Sequence, residues 1–231
     1  MSKVTLALSG GMDSTTLLGI LLQRGYTVHC CIFYYGSKHN KWENRAAENV
    51  IDFYQKKEQP VFGYPMDISK VMEDFQSNLL LSGDEIPEGH YASKNMRKTV
   101  VPGRNLIMTS IMSGLAESVG ANKVALGVHS GDHFIYPDCR TEFIKSLDTT
   151  IYLSSDKKVE VIAPLANDDK YSILQRGYSL DIQVPYQLTR TCYKNQELSC
   201  GVCGSCNERL EAFHKIGKPD PIPYEQPLGV M

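Results

Sequence analysis

The sequence predicts an α/β fold, a parallel sheet with helices on both faces, followed by a small zinc-binding C-terminal segment. Three observations predict it. Short β-branched runs alternate with stretches of helical period. A glycine turn, Ser9-Gly10-Gly11-Met12-Asp13-Ser14, joins the first strand to the first helix. Four cysteines crowd into 192–206. The organisation read from these is a nucleotide-binding α/β domain over 1–185 and a zinc-binding segment over 186–231 packed on it.

The elements follow in order. Residues 3–8 form a short apolar run ending at the glycine turn, as a buried strand does. A helix over 14–23 puts Leu17, Leu18, Leu21 and Leu22 on one face, and Gly25 stops it. Residues 27–34 are β-branched and aromatic, a second strand. Residues 41–57 mix charge with Ala46, Ala47, Val50, Ile51 and Tyr54, a helix. A strand over 61–64 and a helix over 68–80 are expected next. Residues 82–99 are polar and irregular, long enough for a functional loop. Pro102-Gly103 turns into a helix over 105–119 that Gly120 ends. A strand over 123–128, a loop over 130–137, a helix over 140–152, a strand over 159–163 and a helix over 169–176 complete the alternation. A last helix over 208–216 and an extended proline-rich tail from Gly217 close the chain.

Bulk properties narrow the function classes. With 231 residues and 42% hydrophobic content, the chain supports one ordinary core. Its 24 basic and 26 acidic residues leave a net charge of −2, without the excess expected of a binder of long nucleic acid. No run reaches the ~18 consecutive apolar residues of a membrane helix. Residues 4–8 are too short for the apolar part of a signal peptide, so a cytoplasmic location is expected. Seven cysteines, an odd number, argue against a disulfide framework.

The glycine turn has the chemistry of a phosphate site. Gly10 and Gly11 tolerate positive φ and close backbone approach, and the following helix presents its N–H groups to an anion. Ser9 and Ser14 add hydroxyls; Asp13 suits a helix cap or a metal ion bound to the phosphates. The turn has neither the G-K-[ST] of a P-loop NTPase nor G-x-G-x-x-G. It resembles the loop of the ATP-pyrophosphatase superfamily (adenine nucleotide α-hydrolase-like). That resemblance implies cleavage of ATP between the α- and β-phosphates, with adenine near the end of the second strand at Phe33.

Cys192, Cys200, Cys203 and Cys206, spaced C-x7-C-x2-C-x2-C, fit a closed four-thiolate zinc shell. An iron–sulfur cluster and redox activity are the rival readings. His214 is read as a surface histidine, and Cys139 as a packed thiol.

Further stretches make the resemblance specific. Phe33-Tyr34-Tyr35-Gly36 with His39, Val101-Pro102-Gly103-Arg104-Asn105, Tyr136-Pro137-Asp138-Cys139-Arg140, Asp169-Lys170 and Thr191-Cys192-Tyr193 run in the same order as the motifs of the 7-cyano-7-deazaguanine (preQ0) synthase family. The similarity spans nearly the whole chain. It implies a ligase that uses ATP, with Mg2+, to adenylate 7-carboxy-7-deazaguanine. Ammonia then gives an amide, and a second ATP converts the amide to the nitrile precursor of queuosine. The resemblance suggests Arg104 as a phosphate clamp and Lys170 as a neutraliser of phosphate charge. It suggests Asp138 as acceptor for the guanine-like edge, with Asp132 beside it. A homodimer is compatible with it.

The chain also departs from the family's pattern. Residues 127–135, Gly-Val-His-Ser-Gly-Asp-His-Phe-Ile, replace the usual G-V-C-E-T-D-F-S-G, and Tyr34 stands where aspartate is usual. His129 and His133 could be new acid–base groups or polar loop residues. The alternative functions are a divergent relative that stops at the amide or conjugates the deazapurine, and a tRNA-modifying ATP-pyrophosphatase.

Overall fold

The computed structural model describes residues 2–87 and 94–225. Five strands, β1 (Lys3–Ala7), β2 (Thr27–Tyr34), β3 (Val61–Asp67), β4 (Lys123–Ala125) and β5 (Glu160–Ile162), pair in parallel in the order β3-β2-β1-β4-β5. Helices α1 (Met12–Gln23) and α2 (Asn40–Gln55) cover one face, and α3 (Arg104–Val119) and α4 (Thr141–Ser154) the other. Helix α5 (Lys170–Tyr178) packs on α1, and α6 (Gly204–Lys215) packs on α5.

Burial on both faces explains the near-continuous apolar strands. Val4, Leu6, Leu8, Cys30 and Ile32 pack toward α1 and α2. Cys31, Phe33, Val124 and Leu126 pack toward α3 and α4. Burial pushes the Cys31 thiol up to about 12, so Cys30 and Cys31 are core packing groups. The third core, Met12, Leu174, Val184, Tyr186, Ala212 and Phe213, joins α6 to the start of α1.

Strand β3 runs to Asp67, three residues beyond the expected end. It tolerates Pro65 because it is an edge strand, where a missing N–H costs no ladder bond. The expected helix over 68–80 is not formed; turns and a bend occupy 69–74, turns occupy 78–79, and Leu80 forms an isolated antiparallel bridge with Ser37. Long-range bonds overrule the helical period there. Asn78 N–H donates to the Lys98 carbonyl (2.8 Å), Leu81 N–H to the Gly36 carbonyl (2.9 Å), and Ser77 Oγ accepts from Leu79 N–H (3.2 Å). Of the expected functional loop at 82–99, residues 88–93 lie outside the described residues. The backbone of 94–99 is a 3-10 helix in which Thr99 is buried and its hydroxyl lies 2.9 Å from Tyr136 Oη. Helix α6 starts at Gly204, four residues before the expected 208, so the last cysteine stands in its first turn.

The tail is tied down through Tyr224. Arg209, 1% exposed, donates to both Asp220 oxygens (2.7 and 2.9 Å), to Thr189 and Thr191 hydroxyls and to the Tyr186 carbonyl. Tyr224 Oη donates to the same Asp220 (2.6 Å). Removing one partner strands a buried charge, so Arg209→Leu should cost about 3–5 kcal/mol in denaturant unfolding. Adding Asp220→Asn should recover part of that loss; strict additivity of the two would show the pair uncoupled. Residues 226–231 lie outside the described residues.

Candidate active site

The strand order reverses between β1 and β4, so the loops leaving these neighbours diverge and open a crevice at their carboxyl ends. A cleft of about 1180 Å³, counting space open to solvent, lies there. Ser9, Gly11, Asp13 and Ser14 form one wall, and Phe33, Tyr35, Arg104, His129, Lys170 and Tyr193 stand around it. The β4 loop passes close to α1: a Cβ at Gly127 would lie 3.3 Å from Ser14 Cα.

Gly10 has φ +73°. A Cβ there would lie 2.8 Å from the Glu43 carbonyl oxygen and 2.9 Å from Ala46 C, and closer still to Ala47 N. The missing side chain therefore lets α2 rest against the turn, and the Gly10 carbonyl accepts from Arg190 N–H (2.8 Å). Gly10→Ala should destabilise the protein by at least about 2–3 kcal/mol and displace the turn, read as a lowered Tm together with weakened nucleotide binding. An unchanged Tm would contradict this packing. Ser9 and Ser14 hydroxyls stand 3.0 Å apart, and Gly11 N–H donates to Ser9 Oγ (3.2 Å). No side chain caps α1, so its first-turn N–H groups remain available to an anion. Two residues of the expected phosphate set serve otherwise: Gly10 faces α2, and the Met12 side chain is fully buried in the third core. Only the Met12 backbone belongs to the turn's donor edge.

Across the turn stands a buried charge cluster. Lys170 is 6% exposed at the start of α5, where Asp169 caps the helix by accepting from Ser172 N–H (2.8 Å). Its ammonium donates to Asp13 Oδ2 (2.7 Å) and lies 3.4 Å from Glu208 Oε2. Burial opposes the charge, but Asp13 and Glu208 outweigh it and hold the Lys170 pKa well above the ordinary lysine value. Burial likewise opposes ionisation of Asp13, yet Lys170 and His129 keep its carboxyl below the usual range. Glu208 is raised, chiefly by burial, with Lys170 offsetting part of the effect. His129, 2% exposed, accepts Gly131 N–H at Nδ1 (3.1 Å), and its Nε2 lies 3.1 Å from the Lys170 ammonium. Nε2 lies 3.6 Å from Asp132 Oδ2 and 3.9 Å from Asp13 Oδ2. The departure at 127–135 is thus part of the cleft wall at His129 and Asp132.

Arg104 lines the cleft, its guanidinium 5.9 Å from the rings of both Tyr35 and Tyr136. Phe33 lines it from the end of β2. Asp138 does not line it. Its Oδ2 accepts from Asn105 N–H (2.9 Å), and its carbonyl from Asn105 Nδ2 (3.0 Å). One oxygen of the expected base-edge acceptor is therefore held at the start of α3. Cys139 is a buried thiol raised by burial, accepting from Asn105 Nδ2 (3.2 Å). Glu43, Asn44, Arg190 and Glu208 also line the cleft and were not singled out from the sequence. Only the i, i+4 spacing of His39 and Glu43 signalled one of them.

The four cysteines 192, 200, 203 and 206 are buried, and their sulfurs lie within 4.8 Å of one another. Four N–H···S bonds of 3.3–3.5 Å, from Lys194, Cys200, Val202 and Cys203, favour thiolates. A closed set of sulfurs with backbone donors fits a tetrahedral structural zinc. All seven cysteines are free.

A glycine turn and a helix start at the switch point of a parallel sheet define an α/β phosphate-loop protein. The family model described as "Queuosine biosynthesis protein QueC" matches residues 3–217, and the chain belongs to that family. A protein of Pseudoalteromonas atlantica named 7-cyano-7-deazaguanine synthase is 43% identical over 225 residues, 97% of this chain and 100% of that one. One of that name from Archaeoglobus fulgidus is 42% identical, covering 95% of this chain and 89% of its own length. Among solved structures, the NMN synthetase of Francisella tularensis shares the fold (TM-score 0.52, 15% identity, 94% of this chain and 78% of that one). Among the described residues, no helix is long and apolar enough to cross a membrane.

Proposed function

We propose that the chain is an ATP-dependent 7-cyano-7-deazaguanine synthase. The observation that carries the reading is the uncapped donor edge of 9–14 facing Lys170 across the cleft, in a chain of this family. The carboxylate of 7-carboxy-7-deazaguanine attacks the α-phosphate, and pyrophosphate leaves onto the loop and the start of α1. Ammonia displaces AMP to give the amide. A second ATP adenylates the amide oxygen; departure of AMP with loss of both N–H protons leaves the nitrile. Each half converts a poor oxygen leaving group into AMP. Lys170 is placed to neutralise charge at the transferred phosphate once nucleotide competes with Asp13 for it. Arg104, held between two tyrosines, is the permanent cation of the opposite wall. Phe33 offers an apolar surface for adenine.

Asp13 Oδ1 is buried without a hydrogen-bond partner among the described residues. It suits a magnesium ion carried in with the nucleotide, which would screen phosphate charge. We assign zinc to the four cysteines, as a staple that fixes residues 186–225 against the 1–185 domain. The free thiolates suit a reducing cytosol.

The test is incubation of purified protein with ATP, magnesium, ammonium and 7-carboxy-7-deazaguanine. AMP formation that requires the acid, with a product mass of the nitrile, supports the reading. ATP left intact rejects it, and accumulation of amide alone rejects the second half.

A further inference from the structure

Among the described residues, the cleft is lined by four carboxylates, Asp13, Glu43, Asp132 and Glu208. Three of them cluster at Lys170 and His129. Glu43 stands apart from that group, in the first turn of α2. Its nearest partner is His39, whose Nε2 lies 3.3 Å from Oε2 but outside hydrogen-bond geometry, so Oε2 is buried and unsatisfied. The next residue, Asn44, is 3% exposed and also lines the cleft; its Nδ2 is buried without a partner. The orientation of that amide follows from Asn40 Nδ2, 3.5 Å from Asn44 Oδ1. His39 Nδ1 is unsatisfied too, in a side chain 7% exposed. Unpaired buried polar atoms are costly and rare in native proteins, and those of Glu43 and Asn44, both residues of the cleft lining, are explained by a ligand that completes them.

Aromatic rings surround this corner. Tyr193 lies 5.6 Å from the His39 ring, and Phe33 and Tyr35 also line the cleft. Glu43 is near enough to Tyr35 that, after burial, it is the next cause raising that phenol to about 12. The surroundings suit a flat heterocycle with one polar edge.

We propose that Asn44 and Glu43 read the pyrimidine edge of the deazapurine substrate, Asn44 Nδ2 donating to the ring carbonyl and the Glu43 carboxylate accepting the ring N–H and the exocyclic amino group. A guanine-type edge presents acceptor, donor, donor in that order; a side-chain amide N–H beside a two-oxygen carboxylate presents the complement. The subsite rests on the synthase reading for the identity of its ligand. It differs from the expected Asp138, which does not line the cleft and whose Oδ2 accepts from Asn105 N–H. His39 is a positioning residue: it stands beside Glu43 and aims the carboxylate without meeting the base.

The experiment is calorimetric binding of 7-carboxy-7-deazaguanine and of its analogue lacking the 2-amino group, to wild type and to Glu43→Gln. Wild type should bind the analogue at least about 100-fold more weakly, because a carboxylate oxygen is left unpaired. Glu43→Gln should bind the full substrate about 100-fold more weakly, since one amide donor now faces a donor. Its discrimination between the two ligands should fall below about 3-fold. Binding of ATP alone should be unchanged, and equal Tm values establish that the variant is folded. In steady-state assays the loss should appear in KM rather than kcat.

Discrimination retained by Glu43→Gln, or absent from the wild type, overturns the subsite. Because wild-type discrimination needs no variant, misfolding of Glu43→Gln does not rescue the proposal. A wild type that binds the acid and discriminates, yet makes no AMP, rejects the catalytic reading while supporting the subsite. A wild type that does not bind the acid overturns both.

Discussion

Lys170→Met should lower kcat by about 100-fold or more, with a smaller change in the KM for the acid. A cation that acts on charge developing at the phosphate contributes in the transition state rather than in ground-state binding, and removal of one such group typically costs about 3–4 kcal/mol of barrier. The same substitution acts on stability. Lys170 sits against Asp13 and Glu208, and removing it leaves buried carboxylates unpaired. A buried pair broken from one side costs about 3–5 kcal/mol.

The pH dependence gives this effect a sign. In the wild type Asp13 has a depressed pKa, so its contribution is present above the unfolded value of about 3.8 and disappears as pH falls through the folded value. Without Lys170 the carboxylates titrate higher, and the folded variant holds protons more tightly than the unfolded chain. The Tm gap between wild type and Lys170→Met should therefore widen from pH 4 toward pH 8. A gap constant over that range would show that the ion pair is not coupled to folding. Lys170→Arg separates the two roles. It keeps the charge and much of the stability but places a planar fork where a compact ammonium fits, so kcat stays low.

Cys203→Ser, or chelation of the metal assigned to the four cysteines, should have the largest effect on stability. Metal binding free energy in such sites is folding free energy. Loss of about 5 kcal/mol corresponds to roughly 10–20 °C in Tm for a protein of this size. Activity should vanish in parallel, because Tyr193, adjacent to Cys192, and Ser205 and Glu208, on either side of Cys206, all line the cleft. Elemental analysis should find one zinc per chain in the wild type and none in the variant. Cys139→Ser is the matched control. Its sulfur lies outside the cluster, so zinc content should be unchanged. Equal metal content in the Cys203→Ser protein would remove Cys203 from the ligand set.

The layered fold was legible in the sequence because its signals are local. Glycine turns, a period of 3.6 and β-branched runs mark α1, β2 and α3 within a residue or two. The helix expected over 68–80 failed because its partners are remote: Gly36 and Lys98 supply the acceptors that bend it into turns. Ser9, Asp13, Ser14, Phe33, Arg104, Asp132 and Lys170 do converge on one cleft. Asp138 does not line the cleft; one of its oxygens accepts a backbone N–H of Asn105, which no pattern in the chain reveals. Glu208 and Asn44 were invisible for the opposite reason. Each reads as an ordinary polar helix position until packing against Lys170 or the aromatic corner fixes its use.

The walls of the cleft come from residues 7–14, 31–44, 104–108, 126–139, 170 and 190–208. A nascent chain emerging from the ribosome can lay down the first three strands and their helices early. Its catalytic chamber still lacks Glu208 and Tyr193 until nearly the last helix has been translated. A chain that ends before 190 therefore carries the phosphate turn and Lys170 but lacks Tyr193, Ser205 and Glu208 from the chamber wall, and should be unable to complete the reaction.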